Sequence, residues 1–272
     1  MLKARVITAL VMLVVFSTAL FAFPVTAWLL FVALVGGLGA WEWGGLCRWG
    51  GAQRIGYGVF VATLVVLVAW AAGLLSATPS RAGLMLSFGI ATAFWLCLGF
   101  VWLARQWRLG SGLLAALCGL VVLVPTALAM VFLRGFDPWW LLAAMALVWV
   151  ADIAAYFSGR AFGRRKLAPA ISPGKSWEGV YGAGLAVSFY GIVILASSAQ
   201  SLSALQWLGA VLALLVLTGI SVAGDLFESM LKRQAGIKDS SNLLPGHGGI
   251  LDRIDSLTST LPLVALMAAV LA

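Results

Sequence analysis

Charge is scarce in this sequence of 272 residues. Only 10% are Asp, Glu, Lys or Arg, where a soluble domain carries about 25%. That deficit excludes a free-standing soluble domain. With 63% hydrophobic residues and a mean hydropathy of +1.08, the chain reads as an integral membrane protein. Cysteine is equally sparse: Cys47, Cys97 and Cys118 lie in or beside apolar runs without paired spacing. They exclude a disulfide framework and read as small buried hydrophobes. No low-complexity tract or internal repeat is visible, which argues against a transporter built from two matching halves. The net charge of +8 would suggest nucleic acid in a soluble protein. Here it has a topological explanation, and no nucleic-acid partner is expected.

What is present is a series of apolar runs with short polar joints. Spans are expected at about residues 6–23, 25–47, 56–75, 84–103, 110–133, 138–157, 179–197, 205–223 and 256–271. Most are near the ~20 residues that cross a bilayer core. The first follows Lys3 and Arg5 and resembles a signal peptide, but it is long for one and reads as an uncleaved span. Pro125 is expected to kink the fifth. The expected fold is therefore all-α and polytopic, with about nine spans. It forms one membrane domain over residues 1–272, with amino-terminal spans to 150 and the motif-bearing part from 151.

Charge tests the count. With the amino terminus inside, the inner segments hold Lys3, Arg5, Arg48, Arg54, Arg105, Arg108, Arg160, Arg164, Arg165, Lys166, Lys175, Lys232, Arg233, Lys238 and Arg253; the outer ones hold only Arg81 and Arg134. So one-sided a division is what the positive-inside rule demands, and it predicts a cytoplasmic amino terminus. Most of the 13 tryptophans then read as interfacial anchors: Trp28, Trp95, Trp102, Trp107, Trp139, Trp140 and Trp207 fall near expected span ends.

Residues 224–255 concentrate nine charged residues and the only histidine, His247. Asp225/Glu228 and Asp252/Asp255 are each spaced i, i+3, so each pair shares one helical face. Lys232, Arg233, Lys238 and Asp239 lie between them, followed by the turn Pro245-Gly246-His247-Gly248-Gly249. Carboxylate oxygens suit a hard divalent ion, while cations and bare glycine backbone suit phosphate. His247, flanked by glycines, is open to roles as metal ligand, base or nucleotide contact. A second block joins Asp152, inside the sixth span, to Ser172-Pro173-Gly174-Lys175-Ser176-Trp177-Glu178. An acid at membrane depth is a functional candidate. Glu42, in the second span, reads equally as a buried hydrogen-bonding group or a substrate contact.

Ser229-x-Leu231-Lys232-Arg233, then Lys238-Asp239, then Leu244-Pro245-x-His247-Gly248-Gly249-x-x-Asp252-Arg253-x-Asp255 resembles the signature of the phosphatidate cytidylyltransferases, or CDP-diacylglycerol synthases. Ser172-Pro173-x-Lys175-Ser176-x-Glu178 resembles a second block of that family. Ile153 and Ala154 depart from it, standing where small residues, often glycine, follow the acid. The resemblance covers the chain from about Asp152 onward. It implies an enzyme of the bacterial inner membrane that joins CTP to phosphatidic acid on the cytoplasmic side. It implies Mg²⁺ on Asp225 and Asp252, supported by Glu228, Asp255 and Asp152, as one ion, two, or a divalent and monovalent pair. Lys175, Ser176, Arg233, His247, Gly248, Gly249 and Arg253 would contact CTP or lipid phosphate; Lys232 and Lys238 would act on the phosphates directly. Arg253 and Asp255 also read as a charge pair. The resemblance further implies a homodimer. A CTP-using enzyme for another lipid and a transporter are the alternatives; 16 of 26 charged residues fall in 152–178 and 224–255, which disfavours transport.

Overall fold

The computed structural model describes residues 2–76, 80–197 and 202–271. Nine helices among them are long and apolar enough to cross a membrane. They are α1 (Leu2–Ala22), α2 (Val25–Leu46), α3 (Gly51–Ala71), a composite fourth span, α6 (Leu113–Phe136), α7 (Pro138–Phe162), α8 (Trp177–Ser197), α9 (Ala204–Ala235) and α10 (Leu251–Leu271). The composite span joins α4 (Arg81–Ala93), a π-helical turn (Phe94–Gly99) and α5 (Phe100–Arg105). The expected all-helical, nine-span architecture is observed. The departure from helix is an antiparallel hairpin of β1 (Lys166–Ala168) and β2 (Ser172–Ser176), in the segment that carries Lys175.

α6 lies at the centre, with 78% of its most apolar stretch buried, whereas 11% of α1 is buried. Its proline, Pro125, is accommodated without ending the helix. The exposed Leu and Val side chains of the peripheral helices suit contact with lipid tails.

Prolines generate inter-helix contacts, because each lacks an N–H and frees the carbonyl four residues earlier. Pro24 frees Leu20, whose carbonyl accepts from Arg134 Nε at 2.7 Å. Pro262 inside α10 frees Thr258, whose carbonyl accepts from Trp95 Nε1 at 3.1 Å. That bond ties the π-turn to α10. It also corrects the reading of the tryptophans: Trp28, Trp95 and Trp102 are buried, and only Trp107, Trp139 and Trp140 of the named set are strongly exposed. Trp95 and Trp102 find carbonyl partners within the protein, so headgroups are not needed to satisfy them. Cys47 and Cys118 are buried as expected, and burial pushes the Cys47 thiol up to about 12; Cys97 is exposed.

The segments assigned to one membrane side meet at one end of the bundle. Thr8 Oγ1 donates to the Pro245 carbonyl at 3.0 Å. Arg48 Nη2 donates to the Gln234 carbonyl at 2.8 Å, and Gln234 Nε2 to that of Trp107 at 3.0 Å.

Helix ends differ from expectation where the charges lie. α9 continues past residue 223 to Ala235, and α10 begins at Leu251, before residue 256. Hydropathy alone placed those ends where charge begins, but a helix extends through charged residues when partners meet them. At 1.5 Å per residue α9 is about 48 Å long, against a ~30 Å apolar core. Its final turns therefore carry Asp225–Arg233 as helix rather than loop. Gly236 closes it in the left-handed conformation (φ +78°), with the Ile237 N–H donating to the Lys232 carbonyl at 3.0 Å.

Candidate active site

Three helices and the hairpin bring the acids together. Gly224 sets the approach of α9 to α10: a Cβ there would lie 2.5 Å from Ser259 Oγ and 2.9 Å from the Asp255 carbonyl oxygen. With that side chain absent, Asp225 on α9 and Asp255 on α10 come within electrostatic reach of each other and of Asp152 on α7.

Asp225 joins the two sequence blocks. Lys175 Nζ, from β2, forms an ion pair with Asp225 Oδ2. Ser229 Oγ, one turn further along α9, donates to Oδ1 at 3.2 Å. The hairpin is held in place by Glu178, whose carboxylate accepts from the backbone N–H groups of Arg164 (3.0 Å) and Arg165 (3.2 Å). Ser176 is buried and accepts from the Gly179 N–H at 3.3 Å, capping the start of α8.

Lys232, about two turns further along α9 than Asp225, organises a second cluster. Its Nζ lies 2.5 Å from Asp252 Oδ1 and 3.2 Å from Glu228 Oε1. Asp252 Oδ2 accepts from Ser240 N, Ser240 Oγ and Gly249 N, each at 2.8 Å. Both oxygens of Asp252 are therefore engaged. Glu228 is buried; its Oε1 is paired with the Lys232 ammonium, and among the described residues its Oε2 has no hydrogen-bond donor.

The glycine turn is tightly self-bonded. Leu244 N donates to the Gly248 carbonyl and His247 N to the Leu244 carbonyl, both at 2.8 Å. Gly248 is left-handed (φ +79°), and a Cβ on it would lie 2.6 Å from Asp252 Oδ2. A Cβ on Gly249 would collide with Ser240 Oγ and the Glu42 carboxylate. The amides of His247 and Gly249 are thus engaged inside the loop, and a phosphate contact through them requires those bonds to open. His247 Nδ1 is buried and has no hydrogen-bond partner among the described residues. Gly249→Ala is expected to displace the carboxylates behind it and lower turnover at least tenfold, by analogy with loss of an outer-shell support. Steady-state rates of the purified variant check this; wild-type turnover would show that the loop yields.

Lys238, Arg233 and Arg253 are exposed. Among the described residues none of them forms an ion pair; Arg253 does not pair with Asp255, contrary to the sequence reading, and instead acts electrostatically on Asp152. Asp255 Oδ1 accepts from Ser256 N at 2.7 Å. Ser240 and Ser241 carry no spacing signal in the sequence, and Glu178 stands out there only as part of a motif.

Asp152, Lys175, Ser176 and Asp225 line a cavity of about 410 Å³, together with Tyr156 and Arg160. An apolar cavity of about 430 Å³ adjoins it, and the two share Leu167, Val180 and Val222.

The donor set can be tested against the divalent ion that the resemblance implies. Asp152, Asp225, Glu228, Asp252 and Asp255 face two partly buried ammonium groups, Lys175 and Lys232, so carboxylates are in excess. Excess buried negative charge calls for a further cation, and Glu228 Oε2 has no donor among the described residues. Among the described residues no three acids converge as a ready-made chelate. That suits Mg²⁺, which takes one or two carboxylates and fills its shell with water and substrate phosphate. The residues fit such an ion.

Fold and site together define a polytopic membrane protein with a charge-dense pocket recessed at one end of its helical bundle. The chain belongs to the cytidylyltransferase family, whose model matches residues 3–271. It is 45% identical to a phosphatidate cytidylyltransferase of Pseudomonas aeruginosa, over 97% of this chain and 96% of the relative. It is 38% identical to one of Haemophilus influenzae, over 96% of both chains. A Brucella suis protein of the same name is 46% identical over 62% of each.

Proposed function

We propose that this protein is a phosphatidate cytidylyltransferase, converting CTP and phosphatidate into CDP-diacylglycerol and pyrophosphate. The observation that carries the reading is the Lys175–Asp225 pair. It joins two sequence blocks fifty residues apart, at a cavity that carries Asp152, Lys175 and Asp225 and shares Leu167, Val180 and Val222 with a neighbouring apolar cavity. A lipid phosphate with its tails needs that pairing of surfaces.

The chemistry follows from the charges. A phosphate oxygen of phosphatidate attacks the α-phosphorus of CTP; that P–O bond forms as the bond to the bridging oxygen of the β-phosphate breaks. Pyrophosphate leaves with the electron pair. The lipid phosphate is the nucleophile, so no covalent enzyme intermediate is needed. Such transfers depend on positioning and on neutralising the nonbridging and leaving oxygens. Lys175 draws a phosphate into the cavity, where the phosphate competes with Asp225 for the Lys175 ammonium. Arg233 and Lys238, exposed and without ion pairs, neutralise the polyphosphate. Asp225, with Asp152, Asp255 and Glu228 to hand, would hold Mg²⁺, which when bound would supply Lewis-acid stabilisation of the developing charge. Asp252 holds Lys232 and the loop in register. The one-sided Lys and Arg distribution supports a cytoplasmic amino terminus and site, where CTP is available.

Pyrophosphate release by detergent-purified protein tests the reading. Release is expected only with CTP, phosphatidate and Mg²⁺ together, and is expected to stop with chelator. Release when ATP replaces CTP, or a polyprenol replaces phosphatidate, would reassign the substrates; none from folded protein under any condition would refute the reading.

A further inference from the structure

Glu42 lies near the carboxyl-terminal end of the apolar helix α2 and is fully buried, at 0% exposure. Its carboxylate faces no cation among the described residues. It accepts four hydrogen bonds, all from one short stretch on the far side of the sequence. Ser241 Oγ donates to Oε1 at 2.6 Å, and Ile250 N donates to the same oxygen at 3.0 Å. Leu251 N lies 2.6 Å from Oε2 and Ser240 Oγ 3.1 Å from it.

An isolated carboxylate in such a place is expensive, so its partners must offset the cost. Ile250 and Leu251 begin α10, and the N–H groups of a helix start have no partners within the helix. The positive end of the helix also favours an anion there. Every group facing Glu42 is a donor, and a carboxylate is acceptor-only at both oxygens. A glutamine in its place would turn an NH₂ toward two of them.

The bonds lead on to the site. Ser240 Oγ sits between Glu42 Oε2 and Asp252 Oδ2 (2.8 Å), and its single proton serves one of them at a time. Ser240 N and Gly249 N, from the same stretch, both donate to Asp252. Asp252 in turn holds Lys232. The helix bearing Glu42 is firmly seated: Trp43 stacks on Phe227 of α9 at 6.5 Å between ring centres. The absence of a Gly249 side chain is part of the same arrangement, because the Glu42 carboxylate occupies that space.

We infer that Glu42 is a positioning residue: from α2 it clamps Ser240, Ser241 and the first turn of α10, and thereby fixes Asp252 and Lys232 for the reaction. It touches no substrate. The inference rests on the cytidylyltransferase reading above for its activity arm, while its structural arm stands apart from that reading.

The test compares wild type with Glu42→Gln and Glu42→Asp in the full chain, purified in detergent. Two quantities are read: kcat and KM for CTP and phosphatidate, and amide hydrogen exchange along the chain. For Glu42→Gln, kcat is expected to fall about 10–100-fold, as for loss of other outer-shell supports, with each KM within threefold. Exchange is expected to rise in residues 239–252 alone, with the unfolding temperature within about 5 °C of wild type. Glu42→Asp keeps the charge on a shorter arm and should recover part of both losses. Should the Gln variant not fold, the Asp variant carries the test alone, with a smaller kcat loss and the same local exchange. The inference is overturned if a folded variant keeps wild-type kcat and wild-type protection of 239–252. It is also overturned if exchange rises throughout the protein in proportion to lost activity, for Glu42 would then only stabilise the fold. A wild-type protein without activity would refute the functional reading, and the exchange arm would still report on the clamp.

Discussion

Asp225→Asn is expected to lower kcat by on the order of 10³-fold or more while the protein remains folded. Asp225 is the one acid bonded to residues of both motif blocks, Lys175 of β2 and Ser229 of its own helix. It lies within electrostatic reach of Asp152 and Asp255. Asparagine keeps the shape and removes the charge, so Lys175 loses its counter-ion and any metal in the cavity loses an anionic oxygen. Several kcal/mol of charge stabilisation in the transition state are at stake, and each 1.36 kcal/mol is about tenfold in rate. Folding should suffer far less. The side chains of Lys175 and Asp225 are each 27% exposed, and a pair so open to solvent contributes about 1 kcal/mol or less. Pyrophosphate release and thermal unfolding, measured on one preparation, separate the two effects. Activity within tenfold of wild type would remove Asp225 from the chemistry. A large drop in unfolding temperature would make it a structural ion pair instead.

The spans were legible because hydropathy and positive charge are local signals with a fixed length scale, and the nine runs correspond to nine membrane-length helical spans among the described residues. The ends of α9 and α10 were not. Charged residues look like loop to a hydropathy reading, yet Asp225 and Lys232 stay helical with partners on other elements, Lys175 and Asp252, and Glu228 pairs with Lys232 along the helix. The acids and cations of the site were legible as types and spacings. Their division of labour was not, since it depends on what stands opposite. Asp252 reads like Asp225 in the sequence, but its oxygens are taken by Lys232, Ser240 and Gly249. Gly249 reads as an opening for a ligand, and in the structure its missing side chain makes room for Glu42. Glu42 and Ser241 lie 199 positions apart, and no periodicity couples residues at that distance. The tryptophans show the same limit: proximity to a span end does not reveal that Pro262 has left a carbonyl for Trp95 to bind.

Lys232 shows how burial changes an expectation drawn from charge alone. On sequence it is a phosphate-binding cation, and Lys232→Ala should then chiefly raise the CTP or lipid requirement. In the structure its side chain is 12% exposed, beside Glu228 at 5% and Asp252 at 4%. Removing the ammonium leaves two buried carboxylates without a cation, and breaking such a pair costs about 3–5 kcal/mol. For a chain of this size that corresponds to a fall of roughly 5–10 °C in unfolding temperature. Lys232→Ala is therefore expected to be strongly destabilised as well as inactive. Lys232→Met separates charge from packing, because it keeps most of the stem and loses the ammonium. It should unfold nearly as early as the alanine variant. If it unfolds with the wild type, the cluster is held by packing and Lys232 returns to the phosphate-binding role. The change in substrate requirement passes to Lys238 and Arg233, which are exposed and carry no ion pair among the described residues. Alanine at either should raise the CTP requirement with little change in unfolding temperature, the reverse of the result at Lys232. The contrast between the buried cation and the exposed ones distinguishes a charge that builds the site from charges that meet the substrate.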